Sequence, residues 1–99
     1  MKGNFNRLIN SEVPVLIDFY ADWCGPCKIQ APILKEVSEI IGDKAKIIKV
    51  DVDKNQEVAN RFQIRSIPTL MMFKKGETVW RKSGVADKNE LLSVFNTNS

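Results

Sequence analysis

The chain has two cysteines, Cys24 and Cys27, set two residues apart in "ADWCGPCKIQAP" (21–32). Such a pair can serve a metal site, a structural staple or a working dithiol. A closed zinc site takes about four ligands, and the chain has no histidine and no third cysteine. A metal would need two cysteines from each of two subunits, and no other feature supports that. A disulfide across two intervening residues closes a very small loop and removes little unfolded-state entropy. As a staple it would stabilise almost nothing.

A redox dithiol explains the placement. The strand "VPVLIDFY" (13–20) delivers Cys24 to the first turn of a helix, where unpaired amide N–H groups and the helix dipole favour a thiolate. A thiol in that position titrates below its ordinary value of about 8.5. Cys27 lies one helical turn further on, within reach of the Cys24 sulfur and turned more toward the interior, so Cys24 attacks and Cys27 resolves. Gly25 and Pro26 let the chain turn tightly and fix φ for helix entry. Neither adds a positive charge or a donor that would stabilise the thiolate and make the disulfide a stronger oxidant. The pair should therefore favour donating electrons. Asp18 interrupts an apolar run, on the same strand face as Leu16 and Tyr20. A carboxylate there should be buried, with desolvation raising its pKa. On the pattern alone it is a buried hydrogen-bond acceptor.

These residues need a frame. Residues 13–20 are apolar on both alternating faces, the pattern of a central strand covered on each side. Ile29, Ile33, Val37, Ile40 and Ile41 then recur at helical spacing, Pro32 bends the axis, and Gly42 offers a stop after about four turns. "AKIIKVDV" (45–52) reads as a second strand, and Asp53 or Asn55 can cap a short helix carrying Val58, Ala59 and Phe62. Strand, helix, strand, helix implies a parallel βαβ pair. "TLMMF" (69–73), the tight connection "KKGE" and "TVWRKS" (78–83) read as an antiparallel hairpin, which makes the sheet mixed. Asp87 and Glu90 resemble a capping box ahead of Leu91, Leu92, Val94 and Phe95. A short amphipathic segment with Phe5, Leu8 and Ile9 precedes the first strand. Trp80 is assigned to packing on an edge strand.

At 99 residues and 43% hydrophobic content there is room for one domain with one core. The net charge of +3 is dispersed, and the tightest basic run is the pair Lys74 and Lys75. A nucleic-acid face would concentrate Lys and Arg among aromatics, and none is evident. No apolar stretch approaches the roughly 20 residues that cross a bilayer. The start "MKGNFNRLIN" lacks the apolar block of a secretory signal, so a cytoplasmic location is expected, although a mature secreted chain given a new initiating Met would look the same.

"WCGPCK" (23–28), preceded by "LIDFYAD" and followed by "IPT" (67–69), resembles the thioredoxin family, in order and over nearly the whole chain. The resemblance implies an α/β thioredoxin fold in a single domain over 1–99. Its activity would be reduction of disulfide-containing protein substrates, with electrons from NADPH through a thioredoxin reductase, and no cofactor or metal bound to this chain. It implies that Asp18 is the base that deprotonates Cys27, with Lys49 moderating its charge; a lysine snorkelling to the sheet end is the alternative for Lys49. An X-Pro bond is cis in only about 5% of cases, yet the resemblance implies a cis Ile67–Pro68 bond packed against the cysteines. Ile67 would then offer its backbone to an extended substrate segment, with Trp23, Gly25, Pro26, Gly84 and Val85 around it.

Two departures from the family pattern stand out. Tyr20 occupies a place where a second tryptophan is usual, and too few residues precede Phe5 for the usual opening edge strand. About four strands are expected, with helices on both faces and "IIKVDV" at an exposed edge. Exposed edges invite pairing, but a monomer is expected. Two rival readings share the fold: a thiol oxidase or isomerase of an extracytoplasmic compartment, and a binding subunit whose dithiol is incidental. Retention of Cys24, Cys27, Asp18 and Pro68 together argues against the latter.

Overall fold

Strand β1 (Val15–Tyr20) lies inside a four-stranded sheet, and every residue in it but Tyr20 is buried. The structure, a computed structural model, describes residues 4–99. Before β1 comes α1 (Phe5–Ile9), and after it α2 (Gly25–Ile41), which runs into a short 3₁₀ turn at Gly42–Lys44. Then follow β2 (Lys46–Asp51), α3 (Gln56–Arg61), β3 (Thr69–Lys74), β4 (Glu77–Ser83) and α4 (Lys88–Thr97). The sheet order is β2-β1-β3-β4. β1 pairs parallel with β2 and antiparallel with β3, and β4 pairs antiparallel with β3. The mixed sheet and the βαβ half agree with the sequence reading. The expected lack of an opening edge strand bears partly on residues 1–3, which lie outside the described residues. Among the described residues β2 forms one edge of the sheet and β4 the other.

Strand alternation sends side chains to two cores. Val15, Ile17 and Phe19 join Met71 and Phe73 under Phe5, Ile9 and Val58 of α1 and α3. Phe62 completes that side, its ring 5.4 Å from those of Phe5 and Phe73, within the range where tilted aromatic pairs attract. Leu16 points the other way and packs with Leu70, Met72, Leu34, Val37, Leu91 and Phe95 under α2 and α4. Trp80 packs against this second core, as its assignment anticipated.

The inner stripe of α2 differs from the expected one. Cys27, Gln30, Leu34 and Val37 are its buried residues, whereas Ile29 and Ile40 are 61% and 57% exposed. Cys27 faces the core, and residues in helical phase with it, at steps of three and four, must face the core too. That phase includes the polar Gln30 and leaves two of the isoleucines outside. Gly42, at φ +61°, ends the helix as anticipated.

The hairpin turns through Lys75 and Gly76, both at positive φ, the requirement of a two-residue type I′ connection. Its N–H groups donate to Ser11 O and Ile9 O, each at 3.0 Å, which ties the turn to the segment entering β1. Two expected caps are only partly made. Asn55 stands at the N-cap of α3 without a side-chain bond there. Asp87 accepts from Glu90 N at 2.8 Å, but the Glu90 carboxylate turns to Lys82 instead of closing the capping box.

Candidate active site

The strand registers gather the chemistry at one end of the sheet. Phe19 pairs with Thr69, and Thr69 with Ser83. The exit of β1, the entry of β3 and the exit of β4 therefore lie side by side, and carboxyl ends of strands are where open α/β sheets place their sites. The exit of β1 leads to Cys24, the entry of β3 follows Pro68, and the exit of β4 leads to Gly84 and Val85. Gly84 N donates to Pro68 O at 2.8 Å, and its φ of +99° is one that L side chains rarely adopt. The Ile67–Pro68 bond is cis.

Cys24 is the N-cap of α2, and its Sγ accepts the Cys27 N–H at 3.2 Å. A sulfur is here the capping atom, placed where the helix dipole and a free amide both favour negative charge. The two cysteines are joined as a disulfide. Cys24 Sγ also lies 3.6 Å from Ile67 O, and Ile67 packs on the cluster of Ala21, Cys24 and Cys27. Exposure does not separate the cysteines as expected: Cys24 is 3% exposed and Cys27 is 5% exposed. Helix position separates them instead. Cys24 precedes the first turn among exposed Trp23, Gly25 and Pro26, while Cys27 stands on the buried stripe above Gln30.

Asp18 is fully buried, and neither carboxylate oxygen has a hydrogen-bond partner. Desolvation pushes its pKa up to about 6, against an opposing pull from Lys49. Lys49 is in register with Asp18 on β2 but does not pair with it; its Nζ lies 4.3 Å from the centre of the Tyr20 ring. Trp23 is 70% exposed. Its indole Nε1 donates to Asp53 Oδ2 at 2.8 Å, which fixes an apolar plate beside the cysteines.

Two residues of this end were not singled out from the sequence. Asp53 was weighed only as a helix cap, and its role as the acceptor for Trp23 spans thirty residues of chain. Gln30 is fully buried, donates to Ala86 O at 3.0 Å and accepts from Ala86 N at 2.8 Å. It clamps the segment that carries Gly84 and Val85. The available signal was its phase, three residues after Cys27 on the same face.

Comparison with known proteins agrees with this geometry. The family model Thioredoxin matches residues 1–97. The chain belongs to the thioredoxin family. It is 45% identical over 91 residues to thioredoxin of Rickettsia prowazekii, covering 92% of this chain and 87% of that one. It is 50% identical over 86 residues to thioredoxin of Bacillus subtilis, covering 87% and 83%. The crystal structure of Malassezia sympodialis thioredoxin (Mala s 13) superposes with a TM-score of 0.87 at 35% identity, covering 98% of this chain and 84% of that one. The thioredoxin fold is therefore shown, and the Cys24–Cys27 pair marks the chain as a thiol-disulfide oxidoreductase of a protein-disulfide reductase family. No described helix is long and apolar enough to cross a membrane.

Proposed function

We propose that the chain reduces disulfides of protein substrates through Cys24 and Cys27, in the cytoplasm, as a monomer recharged by a thioredoxin reductase with electrons from NADPH. The observation that supports this best is the Cys24 sulfur seated as the N-cap of α2 with the Cys27 N–H pointed at it. Once the pair is reduced, that amide and the helix dipole stabilise a Cys24 thiolate.

The thiolate attacks one sulfur of a substrate disulfide. A Cys24–substrate disulfide forms, the substrate S–S bond breaks, and the first substrate thiolate leaves. Asp18 then takes the proton of Cys27. The Cys27 thiolate attacks the Cys24 sulfur, the Cys24–Cys27 bond forms, and the second substrate thiolate leaves. Two electrons have passed from the dithiol to the substrate. Asp18 is suited to this because burial holds its pKa at about 6, close enough to neutrality to accept a proton and give it up again. The Ile67 backbone pairs with an extended substrate segment, and Trp23, Gly25, Pro26, Pro68, Gly84 and Val85 surround it.

The test is reduction of insulin disulfides with NADPH and a thioredoxin reductase. The wild-type chain turns over and Cys24→Ser does not. Cys27→Ser accumulates a covalent substrate complex through Cys24, visible as a mass increase that dithiothreitol removes. Normal turnover by Cys27→Ser would overturn the assigned order of attack.

A further inference from the structure

Tyr20 ends β1 and is the one residue of that strand not fully covered. It packs against the cluster of Ala21, Cys24 and Cys27. With Cys27, Ala31 and Lys49 it also lines an open cavity of about 130 Å³. Lys49 belongs to an edge strand and is exposed, so free snorkelling into water is the ordinary fate of its ammonium. Instead the ammonium lies over the Tyr20 ring, 4.3 Å from its centre. That is well inside the distance of about 6 Å at which a ring face attracts a cation. Lys49 makes no ion pair among the described residues, so the ring is its partner.

We propose that Tyr20 is a positioning residue whose ring holds the Lys49 ammonium at the wall of the cavity beside Cys27, where its charge supports the Asp18 carboxylate and the Cys27 thiolate during the resolving step. The inference rests on the proposed reduction through Cys24 and Cys27 for its kinetic part alone. Its electrostatic part stands on the geometry of Tyr20, Lys49 and Asp18.

Few other charges compete there. Asp22, between β1 and α2, and Lys28 of α2 also line the cavity. β3 places the apolar Leu70 opposite Asp18. Beyond it on β4, Lys82 is engaged by Glu90 of α4 at 2.6 Å. Lys49 is the cation in register with Asp18, and the ring decides how much of its charge stays close.

The test is a carboxyl NMR titration of Asp18 in the full oxidised chain, with and without Lys49→Met, in three backgrounds: wild type, Tyr20→Phe and Tyr20→Leu. Differencing against Lys49→Met removes any direct effect of the ring on water access. In wild type and Tyr20→Phe, Lys49→Met raises the Asp18 midpoint by about half a pH unit or more. In Tyr20→Leu the same change raises it by less than half as much, because the unanchored ammonium has already moved into water. Equal increments in all three backgrounds would overturn the proposal and leave Tyr20 as packing alone. In single-turnover kinetics, Tyr20→Leu slows release of product from the mixed disulfide by about threefold, the rate equivalent of half a pH unit, and leaves the initial attack by Cys24 unchanged. Tyr20→Phe restores the rate. The titration needs no turnover, so it stays decisive even if the insulin assay fails.

Discussion

Gln30 and Asp18 are polar residues with no exposed surface, both on the side of the sheet covered by α2 and α4, yet their surroundings treat them oppositely. Gln30 spends its amide N–H and its carbonyl on the two backbone groups of Ala86. Asp18 has two acceptor oxygens and no donor for either. Burying a polar group without a partner is costly, and burying a charge is more so. A fold could remove the Asp18 cost by substituting an apolar side chain of similar size, as it did at Leu16 and Leu70 on the same face. The satisfied group fastens the rim of the site to α2. The unsatisfied one keeps a high proton affinity, because burial penalises its charged form and no donor offsets that penalty, which is what the proposed role of Asp18 as a base requires.

The largest effect that could break this comparison is in Gln30→Leu. The substitution strands the Ala86 N–H and C=O together, and each buried group left without a partner costs about 1–3 kcal/mol. A loss on the order of 4 kcal/mol is expected in urea unfolding, and it should not change between pH 4 and pH 8, since neither partner titrates. The loosened Gly84–Val85 segment should raise KM for a protein substrate while leaving reaction with a small disulfide unaltered. A loss under about 1 kcal/mol would mean that water replaces the amide at little cost, and the contrast with Asp18 would dissolve.

The same two residues show what was legible in the sequence. Asp18 stood out because one carboxylate in "VPVLIDFY" breaks a run otherwise apolar on both faces, and burial followed from the pattern. Gln30 did not stand out, because five isoleucine and valine positions suggested a helix face that omitted it. The inner face was set by Cys27 turning toward the core, and two of those isoleucines ended up in solvent. The individual strands and the hairpin were readable because turn chemistry and strand patterning are local signals. The contacts from Trp23 to Asp53 and from Gln30 to Ala86 join residues 30 and 56 positions apart. No local pattern encodes them. Lys49 lies between these cases: the resemblance implied it as the partner that moderates the charge of Asp18, and the register sets it beside that residue, but its preference for the Tyr20 ring depends on side-chain direction.

Asp18→Asn gives the next largest effect, and its sign runs against that of Gln30→Leu. The folded state holds the Asp18 proton up to about pH 6, whereas the unfolded chain releases it near the ordinary value of about 4. Between those values the folded state binds more protons. The Asp18 contribution to wild-type stability is therefore most favourable below the unfolded pKa, falls as pH rises through the window, and levels off above pH 6 to 7. The shift corresponds to a penalty on the order of 3 kcal/mol at pH 8. Asn carries no such penalty, so the stability of Asp18→Asn relative to wild type should rise by about that amount between pH 3.5 and pH 8. Paired urea titrations of the oxidised proteins measure it. The variant should also release product from the mixed disulfide more slowly while forming that disulfide at the normal rate. A stability difference independent of pH, or equal slowing of both steps, would place Asp18 with Gln30 as a structural residue.

The smallest effect calibrates the other two. Lys82 and Glu90 join β4 to α4 on the same side of the sheet at 2.6 Å, a shorter contact than either bond of Gln30, but each side chain is more than a third exposed. If distance decided the energetics, this pair would rank first. Water already solvates both charges, however, and holding two long side chains in one geometry costs entropy that offsets the attraction. Lys82→Met should therefore cost no more than about 1 kcal/mol, and raising the salt to 1 M should erase most of that, because the screening length then falls to about 3 Å. Gln30→Leu, with no charge involved, should keep its full cost at the same salt. A Lys82→Met loss that matched Gln30→Leu and survived 1 M salt would show that geometry outweighs burial on this face, and burial would no longer suffice to explain the high proton affinity of Asp18.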